Sequence, residues 1–394
     1  MLTLLQGIRV VDLTTIVFGP MATQILADLG AEVIKVESLD GDLARSSGAI
    51  SPAGMGAVYA NNNRNKKSVS VNLKTPQGKE VVANLVKKAD VFIHNMRSDA
   101  VERLGFDAAA VRQIKPDIVY CTAVGYGSAG PYAGRPAYDD VIQAACGLAS
   151  LPMYTGNDPV YVPSVIADKI AALHVVYGVM AALLNKTRTG KGSTVEVPMF
   201  ESLVAFVMNE HLDAATYSAE DRPGYNRLLN PNRRPFKTRD GWLAVMPYSK
   251  DQWVRLLEKL NKMEVLQQHW FDSAAGRNSH SEFLYGLLVE SMPESDTDEW
   301  VRILSAIDIP HAKVNTLEDL LADEHLRQTG FFHSTDTLTG RVHSVAQPLN
   351  FEGCDVIDDT APEEVGQSTE QILLSMGYSA EQIKQMRKAG VLRE

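Results

Sequence analysis

Short apolar runs alternate with amphipathic segments over about the first 200 residues, which predicts alternating strands and helices. Helices are expected from about Pro20 to Leu29, Pro76 to Lys88 and Ala108 to Ile114. The predicted strands are Arg9–Leu13, Glu32–Val36, Ser68–Asn72, Val91–His94, Ile118–Ala123 and Thr194–Pro198. This order is typical of a parallel α/β sheet with helices on both faces.

The pattern changes after Asp221, where a segment rich in Pro, Asn and Arg leads into a second, small α+β domain that ends near Leu326. The elements predicted there are a strand at Gly241–Met246 and helices near Asp251–Leu260, Ser279–Glu290 and Thr297–Ile307. Beyond this domain, the apolar segments FFHSTD and AQPLNFEG are expected to form short strands before a final helix around Thr369–Met376.

The composition is that of an ordinary soluble globular protein that is long enough for two domains. Of the 394 residues, 45% are hydrophobic, and the formal net charge of −10 argues against an extended nucleic-acid-binding surface. The segment MLTLLQGIRVVDL does not resemble a signal peptide, and the apolar run Ile170–Leu184 is too short to span a bilayer. We therefore expect a cytoplasmic protein that acts without a membrane or nucleic acid.

Neither the cysteines nor the histidines indicate a metal site. The three cysteines are scattered and form no CxxC pair, and the nine histidines show no HExxH spacing. We expect no bound metal and no disulfide framework.

One glycine-rich segment matches a dinucleotide-binding pattern only in part. GYGSAG (Gly125–Gly130) follows a predicted strand, as a GxGxxG fingerprint should. The next residues, PYAGRPAYDD, contain two prolines and cannot open the required phosphate-binding helix at that place. Binding of a nicotinamide cofactor through this loop is therefore not expected.

Basic residues are concentrated in one stretch of this acidic chain, and more follow a later predicted strand. They are Arg64, Lys66, Lys67, Lys74 and Lys79, followed by Arg97 and Arg103. Such groups near the carboxyl edge of a parallel sheet suit a ligand that carries phosphate groups. A solvated basic loop without a ligand explains the cluster at least as well.

A single carboxylate, Asp168, lies near the start of the apolar segment Ser164–Leu184, which predicts a buried helix. With Ser164 as the N-cap, the positive end of the helix dipole favours the ionised form of Asp168. On these grounds alone, a structural ion pair with Lys169 or with an arginine is the favoured interpretation.

The alternative is that Asp168 is a nucleophile, because a partly dehydrated carboxylate can attack an activated acyl group such as a thioester. None of the other candidate carboxylates is as isolated in an apolar helix. These candidates are Asp139, Asp140, Glu196 and Glu201.

Six segments together resemble the class III CoA-transferases, the family of formyl-CoA transferase and carnitine CoA-transferase. They are GIRVVDLTTIVFGPMATQILADLGAEVIKVE, NRNKKSVSVNLKTPQGKE, ADVFIHNMRSDAVERLGF, GYGSAGPYAGRPAYDDVIQA, ADKIAALHVVYGVMAALLNKTRTGKG and VPMFES. They follow the order and similar spacing of the family over about the first 200 residues, and the remainder matches more loosely.

This resemblance implies that Asp168 is the nucleophile. It would take the acyl group from a CoA thioester, release CoA thiolate, and become an aspartyl-CoA thioester that an acceptor carboxylate attacks. Residues implied by position to bind CoA are Val17, Phe18, Val71, Lys74, Asn95, Met96, Arg97, Arg103, Arg135, Tyr138 and Asp139.

The resemblance also implies a Rossmann-like large domain built from both chain ends, a smaller α+β domain and an interlocked homodimer. The implied division is 1–200 for the first part of the large domain, 201–224 for a linker helix, 225–326 for the small domain, 327–345 for a linker and 346–394 for the rest of the large domain.

Two departures from the family pattern bear on the reaction. Racemases of the same superfamily place a histidine in the segment that matches AYDDV, and Tyr138 stands there in this chain, which favours transfer over racemisation. Formyl-CoA transferase has a glycine-run loop where this chain has GYNRLLNPNRRPF (224–236), so an acceptor other than oxalate is expected.

The sequence therefore predicts transfer of CoA from an acyl-CoA donor to a free carboxylic acid. Arg233 and Arg234 are candidates for binding the second carboxylate of a dicarboxylate acceptor, because a guanidinium group binds a carboxylate with two parallel hydrogen bonds. An α-methylacyl-CoA racemase, a CoA lyase or hydratase, and a non-catalytic CoA-binding protein remain as alternatives.

Overall fold

The computed structural model describes residues 1–52, 54–337 and 340–393, which divide into two compact units. The large unit comprises Met1–Cys146, Val162–Phe206 and Arg327–Glu394, and the small unit comprises Gly147–Tyr161 and Val207–Leu326. Residues Gly147–Tyr161 were predicted to lie in the large domain. This segment belongs with the small unit, where the guanidinium of Arg222 lies 5.4 Å from the ring centre of Tyr154.

A six-stranded parallel sheet forms the centre of the large unit. Its strands are β1 (Arg9–Leu13), β2 (Glu32–Glu37), β3 (Lys66–Ser70), β4 (Val91–His94), β5 (Val119–Val124) and β6 (Thr194–Pro198). They lie in the order β3-β2-β1-β4-β5-β6, and every neighbouring pair is parallel. This is the strand order of doubly wound α/β folds, and the predicted parallel α/β sheet is confirmed.

Helices cover both faces of this sheet, which is why its central strands are nearly continuous in Val, Ile and Phe. Val10, Val11, Phe92 and Ile93 are fully buried. The helices that precede the small unit or lead into it are α1 (Phe18–Asp28), α2 (Ala57–Ala60), α3 (Pro76–Lys87), α4 (Ser98–Leu104), α5 (Ala108–Ile114), α6 (Asp139–Ala145), α7 (Ile166–Thr189) and α8 (Met199–His211).

The longest of these helices, α7, has one buried and one exposed side. Its buried residues include Ala171, Val175 and Val179, and the helix packs against α1, β5 and β6 as a core helix does. At 24 residues it exceeds the predicted apolar run, and among the described residues it is the helix that is long and apolar enough to cross a membrane. Core helices of globular proteins meet the same criteria of length and composition.

The small unit has its own apolar core around a three-stranded antiparallel sheet. Its strands are β7 (Phe236–Lys237), β8 (Trp242–Val245) and β9 (His311–Lys313), and its helices are α9 (Lys250–Lys259), α10 (Ala274–Ser279), α11 (Ser281–Ser291), α12 (Thr297–Ala306) and α13 (Leu317–Ala322). Helix α14 (Glu324–Gln328) begins in the small unit and ends in the large one. Helix α9 begins with a capping box between Ser249 and Gln252.

The C-terminal part returns to the large unit. Its elements are β10 (Phe332–Thr337), β11 (Gly340–Val345), α15 (Thr369–Ser375) and α16 (Ala380–Lys388). Strands β10 and β11 form an antiparallel hairpin, whereas the predicted strand AQPLNFEG is irregular. That prediction was wrong because Pro348 lacks the N–H group that a strand ladder needs. Helix α16 was not predicted, and its Ile383 joins the buried apolar cluster that also includes Val69 of β3.

Candidate active site

The residues implied to bind CoA follow the carboxyl ends of four parallel strands. Val17 and Phe18 follow β1, Val71 and Lys74 follow β3, Asn95, Met96 and Arg97 follow β4, and Arg135, Tyr138 and Asp139 follow β5. Because parallel strands end at the same edge of a sheet, these loops share one edge. In doubly wound sheets ligands bind at this edge, where the strand order reverses, and here the reversal lies between β1 and β4.

The loops after β1 and β4 are joined directly by two reciprocal hydrogen bonds. The backbone N–H of Thr15 donates to Oδ1 of Asn95 over 3.0 Å, and Nδ2 of Asn95 donates to the carbonyl oxygen of Thr15 over 2.9 Å. The next residue, Ile16, has a φ of +73°, which is unusual for a β-branched residue. Its N–H donates to the Asp42 carboxylate at 3.1 Å, so the loop is held in this strained conformation from two sides.

A buried polar network supports the same loop from below. The carboxylate of Asp12 accepts hydrogen bonds from the backbone N–H of Thr14 and from the hydroxyl of Thr23, and Nζ of Lys66 lies 3.3 Å from it. Burial lowers the pKa of Lys66 to about 7, although the Asp12 carboxylate opposes this. A second buried pair joins Lys35 to Asp42 at 2.9 Å. The network therefore fixes the end of β1 through charged groups that water does not reach.

This network changes the interpretation of the basic cluster. Arg64 and Lys66 are buried against Asp28 and Asp12, and Lys67 pairs with Glu32 at 2.8 Å. Strand β3 also begins two residues earlier than predicted, because lysines at 66 and 67 are typical of a solvated loop and here lie within the strand.

The remaining basic residues that were implied to bind phosphate are exposed. Lys74, Arg97 and Arg103 lie at the surface, and Nζ of Lys79 donates to the carbonyl oxygen of Arg103 at 3.2 Å. Arg103 also pairs with Asp99 at 2.8 Å. The phosphate-binding hypothesis therefore rests on the second half of the cluster, together with residues near α4.

The loop after β5 uses its backbone donors internally. The N–H of Gly127 donates to Glu201 at 3.1 Å, and the N–H of Ser128 donates to Glu196 at 2.9 Å. The next helix, α6, begins only at Asp139. These two glutamates therefore hold the loop in place, and the glycine segment is not followed directly by the helix start that a dinucleotide-binding site requires.

Asp168 is the third residue of α7, and its backbone is capped by a neighbouring helix. Val165 flanks the helix without a side-chain cap, and Oγ of Ser164 accepts a hydrogen bond from Nζ of Lys169. The expected N-cap at Ser164 was therefore wrong. The cap comes from α6, where the Asp139 carboxylate accepts the N–H of Asp168 at 3.0 Å.

Gln143, one turn further along α6, fixes this capping carboxylate. Its Nε2 donates to Oδ1 of Asp139 at 2.6 Å, and its Oε1 accepts the N–H of Val162 at 2.9 Å. Gln143 is fully buried and Asp139 nearly so. Sequence reasoning missed Gln143, although its spacing of four residues from Asp139 places both on one helix face.

The carboxylate of Asp168 itself is half-buried, and no donor among the described residues pairs with it. The expected pairing with Lys169 does not form, since that ammonium binds Ser164. Burial, and then the charge of Asp139, raise the pKa of Asp168 to about 7. An unpaired carboxylate that is partly dehydrated has the properties of a nucleophile or a general base.

The other implied CoA residues differ in what they present at the sheet edge. Val17, Phe18 and Val71 are buried, so their backbone groups are what a ligand would meet. Tyr138 is 76% exposed, and the guanidinium of Arg135 lies 4.2 Å from the ring centre of Tyr132. Within the described residues, no group of three His, Cys, Asp or Glu side chains is arranged to hold a metal ion.

The chain belongs to the CoA-transferase family III, whose family model matches residues 5–369. It is 30% identical to (R)-2-hydroxy-4-methylpentanoate CoA-transferase of Clostridioides difficile, over 99% of this chain and 100% of that protein. It is 29% identical to human succinyl-CoA:glutarate CoA-transferase, over 98% of this chain and 90% of that protein. A CAIB/BAIF family protein from Brucella suis has a similar structure, with a TM-score of 0.80, 29% identity and coverage of 95% and 100% of the two chains.

The family membership supports the general activity predicted from the sequence, transfer of CoA between an acyl-CoA and an acid.

Proposed function

We propose that Asp168 is the covalent nucleophile of this CoA-transferase. The observation that carries the proposal is the state of its carboxylate, which is half-buried in the first turn of α7 and unpaired among the described residues. An acid that served only to stabilise the fold would be expected to have a cation or several N–H donors close by, because burying an unpaired charge is costly. A carboxylate that must attack a substrate has to remain unpaired, which accounts for this cost in stability.

The proposed reaction proceeds through two kinds of covalent intermediate. An oxygen of the Asp168 carboxylate attacks the thioester carbon of the donor, the C–S bond breaks, and CoA thiolate leaves an acyl-aspartyl anhydride. The thiolate then attacks the aspartyl carbon, which releases the donor acid as a carboxylate and leaves an aspartyl-CoA thioester. The acceptor carboxylate repeats the two steps in reverse order, so that acyl-CoA forms and Asp168 is regenerated.

CoA is proposed to bind at the carboxyl edge of the sheet. The loops after β1 and β4 are rigidly joined through Thr15 and Asn95, and the strained Ile16 lies between them. Strained backbone that is held by several partners is often found at ligand-binding sites. Lys74 and Arg97 are exposed beyond the same edge and are suited to pair with the phosphates of CoA.

The acceptor is proposed to be a dicarboxylate. Nε of Arg233 is buried, and no group among the described residues accepts its hydrogen bond. A carboxylate would supply the missing acceptor and bind with two parallel hydrogen bonds. One relative, human succinyl-CoA:glutarate CoA-transferase, has a name that includes two dicarboxylates, whereas the Clostridioides difficile relative is named for a hydroxy acid.

The active form is proposed to be a homodimer. The outward stripe of α7 includes Leu173, Tyr177 and Leu184, which are 52%, 60% and 54% exposed. A row of large apolar side chains along one helix face favours cover by another surface. Light scattering should therefore give twice the chain mass of 43.1 kDa, and a mass of a single chain would contradict the proposal.

Intact-mass spectrometry tests the covalent step. The wild type and Asp168→Ala are incubated with succinyl-CoA or acetyl-CoA, with and without a hydroxylamine chase, and Asp140→Ala is the matched control. We expect the wild type and the control to gain CoA through a bond that hydroxylamine cleaves, and Asp168→Ala to gain nothing. If no donor leaves an adduct and solvent deuterium enters the α-position of a 2-methylacyl-CoA, the enzyme is a racemase and Asp168 is a base.

A further inference from the structure

Asp139 and Gln143 lie next to Asp168 at the start of α7 and do not themselves carry the acyl group. We propose that Asp139, held in place by Gln143, is a positioning residue that anchors the backbone of Asp168 and favours its acylation by charge repulsion. This role rests on the proposed covalent function of Asp168. It differs from the CoA contact that the sequence resemblance implies for Asp139.

The geometry ties three segments together at the start of α7. The Asp139 carboxylate binds the N–H of Asp168 through one oxygen and the Gln143 amide through the other, at 3.0 and 2.6 Å. The same amide nitrogen lies 3.2 Å from the carbonyl oxygen of Ser164, and Oε1 of Gln143 accepts the N–H of Val162. The segment that leads into α7 is therefore fixed to α6 by one buried glutamine.

The hydrogen bonds also indicate the charge of Asp139. Both of its oxygens accept from N–H donors, which is the pattern of an ionised carboxylate. Asp139 is only 7% exposed, so water screens its charge less than it screens the charge of a surface carboxylate.

Among the described residues that pack against α7, the other titratable groups are engaged elsewhere, exposed or uncharged. On α7, Lys169 binds Ser164 and the His174 ring binds a backbone carbonyl. Among the titratable groups on elements that pack against α7, Asp28 pairs with Arg64, Glu196 binds Ser128, Asp140 is exposed, and burial raises the pKa values of Tyr120 and Cys121. Asp139 is thus the charge that Asp168 meets most directly.

The repulsion between Asp139 and Asp168 favours the acylation step of the proposed reaction. When Asp168 attacks a thioester, its negative charge moves to the CoA thiolate, and the acylated side chain is neutral. Two neighbouring carboxylates become one, which relieves the unfavourable interaction. Asp139 therefore raises the energy of the free nucleophile relative to its acyl and thioester forms, while its hydrogen bond keeps the backbone of Asp168 in place.

The first test measures the coupling without any substrate. Thermal unfolding is recorded at pH 5.5 and 8.5 for the wild type, Asp139→Asn, Asp168→Asn and the double variant. Asparagine keeps an oxygen that can accept the N–H of Asp168, while its amide nitrogen replaces the oxygen that Gln143 binds, so circular dichroism first checks that each variant is folded. At pH 8.5 both carboxylates are charged, so we expect the unfolding temperature of the double variant to rise by less than the sum of the rises in the two single variants. At pH 5.5 Asp168 is largely neutral, so the changes in unfolding temperature should be additive. Additive changes at both pH values would overturn the proposal.

The matched control is Asp140→Asn, which removes the same charge from the neighbouring, exposed position on α6. The change in unfolding temperature that it causes should add to the change caused by Asp168→Asn at both pH values. Non-additivity of equal size for Asp140 would show that the effect is a general field of the helix, and would also overturn the specific role of Asp139.

The second test uses the rate of adduct formation with succinyl-CoA across pH 5–9. We expect the pH midpoint of Asp139→Asn to fall by about 0.5–1 pH unit, because the remaining carboxylate ionises more easily. Gln143→Met should keep the wild-type midpoint, since the charge remains, but slow adduct formation about tenfold because the anchor is loosened. An unchanged midpoint in Asp139→Asn contradicts the proposal. If the wild type forms no adduct, the covalent function fails, and the unfolding cycle still decides the coupling.

Discussion

Thr15 and Asn95 exchange two hydrogen bonds across the point where the strand order of the sheet reverses. The side chain of Asn95 thus pairs with the backbone of the loop after β1 as a neighbouring strand would. The next residue in that loop, Ile16, has a positive φ. A ligand that binds at this edge meets a backbone that is already ordered, so binding costs less conformational entropy.

Asn95→Ala should therefore weaken CoA binding. We expect about a 5–10-fold higher Kd for CoA, since the loss of one or two hydrogen bonds costs about 1 kcal/mol net. Isothermal titration calorimetry with CoA measures the change. The matched control is Asn84→Ala, which removes a hydrogen bond to Tyr378 elsewhere in the large unit and should leave the Kd unaltered. Equal effects of the two substitutions would contradict the assigned site.

Asp168→Asn should abolish transfer and stabilise the protein at alkaline pH. The pKa of Asp168 is about 7 when folded and 3.8 in an ordinary environment, so the folded state favours the neutral acid. Stability from this preference is present at low pH and is lost as pH rises through about 7. The neutral asparagine avoids this loss.

Differential scanning calorimetry at pH 5 and pH 8.5 measures that effect. At pH 8.5 the variant should unfold a few degrees above the wild type, which corresponds to about 1–2 kcal/mol for this partly exposed group. The difference should shrink at pH 5. A difference that is independent of pH would mean that the carboxylate is not destabilised by its surroundings.

Lys66→Met and Lys74→Met should distinguish a lysine that stabilises the fold from one that binds CoA. Lys66 is buried beside Asp12, so its removal takes away the nearby ammonium and leaves the buried carboxylate with its hydrogen bonds from Thr14 and Thr23, which should cost about 3 kcal/mol of stability. Lys74 is exposed, so its substitution should leave the unfolding temperature unchanged and weaken CoA binding several-fold. Urea unfolding and CoA titration on both variants check this. The hypothesis for Lys74 fails if its variant binds CoA as the wild type does.

Arg233→Ala should discriminate between classes of acceptor. Its Nε is buried and meets no hydrogen-bond acceptor in the described part of the chain, and a second carboxylate of the acceptor would pair with it. We expect the KM for dicarboxylates such as succinate or mesaconate to rise about tenfold or more, with little change for monocarboxylates. Arg239→Ala is the control, because Arg239 already pairs with Asp296 in the same unit. An unaltered KM for dicarboxylates would rule out Arg233 as their ligand.

The periodicity of the chain was sufficient to predict most of the central sheet. Strands Arg9–Leu13, Val91–His94 and Thr194–Pro198 were predicted with their observed bounds, as was the helix Ala108–Ile114. Buried parallel strands are almost wholly apolar, and this signal is local. The prediction was less accurate at β3, which begins at the buried Lys66, and it was wrong for AQPLNFEG, which follows β11 and contains Pro348.

The sequence also singled out Asp168, because an isolated acid in an apolar helix is visible without any structure. The family motifs in the first half of the chain then determined its expected role. What the sequence alone determined is therefore the parallel fold, the CoA-transferase family and the candidate nucleophile, since each depends on patterns within short segments.

Only the tertiary structure decided how these residues are used. The burial of Lys66, the pairing of Thr15 with Asn95 and the cap that Asp139 and Gln143 provide for Asp168 all join segments that are distant along the chain. The pattern of apolar and polar residues does not indicate which charges are paired inside the fold. Charge, solvation and hydrogen bonding depend on distances between side chains, and those distances exist only once the sheet and its helices have assembled.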